Sequence, residues 1–122
     1  MRASATIGVL LGFLTITVAL AGEADVVGVT ATREGAGTWR FDVTVRHEDA
    51  GWQHYADRWI VVAPDGTILG ERVLLHPHDD EQPFTRSLGG VRIPAGVMEV
   101  IVRAHDLVHG WGGIEQRVPL PR

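Results

Sequence analysis

Cysteine, lysine and asparagine are all missing from these 122 residues. Without cysteine there is no disulfide scaffold, no thiolate metal site, no thiol nucleophile and no lipid-attached Cys of the lipoprotein kind. Without lysine there is no Schiff-base chemistry, and without asparagine no N-glycosylation acceptor. Positive charge is scarce: 11 Arg face 15 acidic residues, a formal net charge of -4. A nucleic-acid-binding domain normally carries a basic stripe, so that class of partner is excluded. The length allows a single domain.

The one long apolar run is at the start. Residues 1–21 combine Arg2, an uncharged stretch from Ile7 to Leu20, and the small-x-small sequence Ala19-Leu20-Ala21. This is the layout of a cleaved secretory signal peptide. The acidic Glu23 and Asp25 that follow argue against a membrane anchor, which would be closed by basic residues. The expected mature protein, residues 22–122, is periplasmic or secreted and has no membrane association after cleavage.

Past residue 22 the pattern is that of strands. In Thr38–Arg46, Trp39, Phe41, Val43 and Val45 share one face, while Arg40, Asp42, Thr44 and Arg46 share the other. Six further runs follow the same logic: Val26–Thr32, Tyr55–Ala63, Thr67–Leu75, Phe84–Leu88, Val97–Ala104 and Ile114–Leu120. Met98, Val100, Val102 and Ala104 are expected on the core face, with Glu99, Arg103 and His105 opposite. Pro64-Asp65-Gly66 and Pro94-Ala95-Gly96 are turns. Seven strands in so short a chain predict an all-β fold, a seven-stranded antiparallel sandwich of immunoglobulin or fibronectin type with Trp59 in its centre. A small closed barrel is the competing architecture.

If successive strands reverse direction, alternate connections share a pole. The connections at 33–37, 64–66 and 89–96 contain no histidine. Those after the second, fourth and sixth strands hold or border His47, His54, His76, His78, His105 and His109, all six in the chain. Glu48, Asp49, Asp57, Asp79, Asp80, Glu81 and Asp106 fall at the same end, as do Trp52, Tyr55 and Trp111. Function is expected there, on loops carried by a rigid frame.

Imidazole and carboxylate are the ligand types of divalent Cu or Zn. His76-Pro77-His78 is the sharpest local element, since a stiff extended spacing can turn both rings to one side. The expected ligands are His76, His78, His105 and His109, supported by Asp106 and Asp79. Imidazoles from at least two of the three loops should then meet. Cu(I) is a poorer match, because Met98 is the sole methionine beyond residue 21. The alternative is an interaction module with no metal, in which Trp52, Tyr55 and Trp111 form a platform for a glycan or an exported partner protein. Catalysis is not expected: Ser87 lies within a predicted strand and has no nucleophile elbow around it.

The stretches HPHDDEQPFTRSLGGVRIPAG, VIVRAHDLVHGWGG, GWQHYADRW and APDGTILGERVLL resemble a family of short exported bacterial proteins of uncharacterised function. The resemblance spans nearly all of residues 22–122 and implies an export signal and a compact β domain. In architecture the chain is also similar to the periplasmic copper-resistance sandwich proteins, which bind copper through His and Asp near one end. It departs from them in lacking an amino-terminal His and a Met-rich loop.

Overall fold

The computed structural model describes residues 22–121; the expected export signal, residues 1–21, lies outside the described residues. Seven strands follow in order: β1 (Asp25–Gly35), β2 (Thr38–Arg46), β3 (Ala56–Val62), β4 (Ile68–Val73), β5 (Phe84–Arg92), β6 (Glu99–Asp106) and β7 (Gln116–Pro119). They form two antiparallel sheets, one ordered β1-β2-β5 and the other β4-β3-β6-β7. Among the described residues there is no helix long and apolar enough to cross a membrane.

The alternation that defines β2 places Trp39, Phe41, Val43 and Val45 between the sheets, all fully buried. They meet Trp59 and Val61 of β3, Val100, Val102 and Ala104 of β6, and Phe84 and Val91 of β5. Two expectations need correction. Gly89 and Gly90 do not end the fifth strand. Gly90 takes a positive φ of 66° and the register jumps between Trp39↔Val91 and Phe41↔Leu88, so the pair forms a bulge within a longer β5. Met98 is not in the core but 60% exposed. Strand β6 starts only at Glu99, so the period-two rule does not reach Met98.

Loop contacts define the two poles. At one, Ile93 N–H donates to Gly37 O and Gly90 N–H to Glu34, joining the β1–β2 turn to the end of β5. At the other, Leu107 N–H donates to Tyr55 O and His78 N–H to Asp49, which ties the β2–β3, β4–β5 and β6–β7 connections together. The start of β1 is held at the latter pole. Ile114 N–H donates to Asp25 Oδ1, Val26 N–H to Ile114 O, and Gln116 Nε2 to Val26 O.

Trp59 is fully buried. Trp59→Ala should therefore cost about 3–5 kcal/mol in urea unfolding. Trp52→Ala, at a residue 66% exposed, should stay within about 0.5 kcal/mol.

Candidate functional site

The inward face of β2 continues one step past the strand. Trp39, Phe41, Val43 and Val45 are followed at the same parity by His47, which is buried. On β6 the inward series Val100, Val102, Ala104 ends in Asp106, also buried. Period two thus carries one imidazole and one carboxylate to the end of the core, beneath the loops.

His47 stands between two carboxylates whose side chains are fully shielded from solvent. Its Nδ1 lies 2.5 Å from Asp49 Oδ1 and its Nε2 lies 3.3 Å from Asp106 Oδ2. The Asp49 carboxylate also accepts Ala56 N–H at 3.1 Å on Oδ1 and His78 N–H at 2.6 Å on Oδ2. Gln82 adds a bridge, accepting from His47 N–H and donating to His78 O. Asp106 Oδ1 accepts N–H groups from Val108 and His109 at 2.8 and 2.6 Å, and the His109 ring Nδ1 lies 3.2 Å from Oδ2. Burial alone would push the Asp106 carboxyl up. The two backbone donors, the His109 ring and the nearby His47 outweigh it and hold Asp106 below the usual carboxylate range.

His54 completes the group. Its Nε2 is 3.7 Å from Asp106 Oδ1, and its ring packs edge-on to His47 at 4.8 Å. Ligand atoms of His47, His54 and Asp106 all lie within 4.8 Å of one another. Nε2 of both histidines is buried and makes no hydrogen bond. A neutral imidazole carries one N–H, yet a carboxylate oxygen faces each ring nitrogen of His47, so one of the two contacts calls for a further proton or a cation. Asp49 also stands where a carboxylate orients a metal-binding imidazole.

The expected ligand set is therefore redistributed. Asp106 and His109 are together in the cluster, and His54 and His109, from two different loops, have ring centroids 5.1 Å apart. His105 sits at the outward parity of β6, where its Nδ1 meets Asp57 Oδ1 at 2.6 Å. His76 is exposed and its Nδ1 contacts Pro77 O. His78 is buried, stacked on Phe84 at 3.9 Å, with its ring 4.6 Å from that of His76. Exposed Asp79 accepts only a long hydrogen bond from Gly51 N–H. His47, His54 and Asp49 were missed as site members. The signal for His47 was present, as the next inward position after Val45.

The aromatic trio divides. Trp52 packs edge-on to Tyr55 at 5.7 Å. Trp111 does not protrude from its glycines but meets His105, with the Arg58 and Arg103 guanidiniums 5.3 and 5.2 Å from its ring. Ser87 donates to Asp42 and accepts from Arg40, a pairing on the outer face of the β2–β5 sheet.

A protein of Halomicrobium mukohataei named "Putative lipoprotein" is 46% identical over 91 residues. The match covers 75% of this chain but 44% of that protein, so the chain spans less than half the length of the curated relative it matches. No family model matches the chain, and no solved structure does.

Asp49→Ala would leave Ala56 N–H, His78 N–H and the His47 ring unpaired. It should cost about 3–5 kcal/mol in urea unfolding with a chelator present. His78 supplies a pH dependence. Burial pushes its pKa down, aided by Arg86 and His76 and opposed by Asp49 and Glu81. The unfolded chain thus binds the extra proton more readily. The His78 contribution is full above its ordinary value of 6.5 and declines as pH falls through it toward the lower folded value. Urea midpoints at pH 7.5 and 5 should differ less in His78→Leu than in the parent.

Proposed function

We propose that this chain is an exported β-sandwich protein of the cell envelope that binds a divalent transition metal ion, Cu(II) or Zn(II), at His47, His54 and Asp106. One observation carries the reading: two buried imidazole nitrogens without hydrogen bonds share a 4.8 Å group with a buried carboxylate. A bound ion supplies the missing charge between His47 and Asp106. Ligand atoms around an ion at about 2 Å lie roughly 3.3 Å apart, so modest rotation of the partly exposed His54 closes the site. His109, next to both Asp106 and His54, is the natural fourth ligand.

Export is supported by the leader-like residues 1–21 and by the lipoprotein name of the relative. The proposed location is the periplasm or the exterior of the cell. The sheet orders β1-β2-β5 and β4-β3-β6-β7 support the immunoglobulin or fibronectin-type reading. The proposed role is binding and not catalysis: the hydroxyl considered as a nucleophile, Ser87, is engaged by Arg40 and Asp42.

Calorimetric titration of the metal-free protein with Zn(II) and Cu(II) tests this. One-to-one binding is expected. His47→Ala or His54→Ala should abolish it, Asp49→Asn should weaken it about 10–100-fold through loss of the orienting carboxylate, and His76→Ala should leave it unchanged. Non-stoichiometric uptake that survives His47→Ala rules the site out.

A further inference from the structure

The seam between edge strands β4 and β5 holds a second, chemically opposite feature. Cross-strand partners share a face. Arg72 pairs with the buried Trp59, and Arg86 pairs with the buried Val43. Both arginines therefore occupy inward positions, one on each side of the sandwich's open edge. Further along the seam, the Cβ position of Gly70 comes within 3.0 Å of Leu88 and 3.3 Å of Val91, so apolar packing closes that end. At the arginines it opens into a cavity of about 70 Å³ lined by Arg72, Leu74, Leu75, His76, His78 and Arg86.

The charges there are poorly matched. Among the described residues Arg72 has no carboxylate at ion-pair distance: its Nη1 donates to the neighbouring Val73 O, while its buried Nε has no partner. Arg86 reaches one carboxylate, that of the exposed Glu81, at 3.4 Å, and also donates to Thr85 O. His78 borders the same cavity with its side chain 3% exposed, and neither ring nitrogen has a hydrogen-bond partner. Two inward cations around one small space repel a metal ion, even with Asp49 Oδ2 lying 3.8 Å from His78 Nδ1. Inward-pointing charge is a common guard on edge strands, but a guard does not require the buried, unpartnered Arg72 Nε and His78 nitrogens.

We propose that this cavity binds one small oxyanion, of phosphate, sulfate or carboxylate type, held by the Arg72 and Arg86 guanidiniums with a His78 ring N–H as third donor. Guanidinium forks match the paired oxygens of such groups. The space is on the scale of one such group. His78 also touches the His47 cluster, its N–H donating to Asp49, whereas Arg72 and Arg86 take no part in that cluster, so variants of the arginines test this site separately.

The test is titration of the isotope-labelled full chain with sodium phosphate, sulfate or acetate, with sodium chloride holding ionic strength constant. The Arg side-chain N–H and His78 ring resonances are followed by NMR. Saturable shifts are expected: with phosphate or sulfate if the ligand is tetrahedral, with acetate if it is a carboxylate such as an acidic peptide would supply. Arg72→Met and Arg86→Met should each weaken binding about tenfold or more, as loss of a charged hydrogen bond does, and should leave zinc titration unchanged. If one variant fails to fold, the other decides. Linear shifts equal to those in chloride, or undiminished binding by a folded variant, overturn the proposal.

Discussion

The buried series Asp49–His47–Asp106 is the constraint around which the functional pole is organised. Two carboxylates withdrawn from water cost several kcal/mol each unless charge and hydrogen bonds are returned to them. The structure returns most of that through backbone N–H groups, from Ala56 and His78 to Asp49 and from Val108 and His109 to Asp106. Those donors come from the first residue of β3 and from the β4–β5 and β6–β7 connections, and Asp49 itself from the β2–β3 connection. The loops are thus fixed by the same groups that form the site. Among the described residues His47 is the side chain that reaches both acids.

Much of the frame was legible in the sequence because its cause is local. Alternation in Thr38–Arg46 reflects one apolar and one solvated face, and β2 has those limits. Loop parity followed from strand reversal, and the contact between the β2–β3, β4–β5 and β6–β7 connections bears it out. Gly89-Gly90 misled because glycine serves a bulge as readily as a turn, and only pairing with β2 distinguishes them.

The buried cluster was less legible, for a physical reason. Attention to loops favoured His76-Pro77-His78, where two histidines are close in sequence. The structure instead assembles its buried group from positions where strand periodicity runs out. His105 and Asp106 make the point: neighbours in the chain, they face opposite sides of β6, and only Asp106 points inward. Arg72 shows the converse. It is a charged residue on an edge strand, yet its pairing with Trp59 turns it toward the interior. His76 and His78 both stand between two surroundings, with the arginines on one side and Asp79, Asp80 and Glu81 on the other.

The spacing of His47 and His54 from Asp106 along the chain has a kinetic meaning. Joining segments so far apart carries a loop-closure cost that is recovered only when both sheets have docked. No short fragment contains the whole group, and an incomplete fold leaves its donors scattered. The buried cluster at this pole is consequently complete only where both sheets are docked, so that its integrity reports a finished domain.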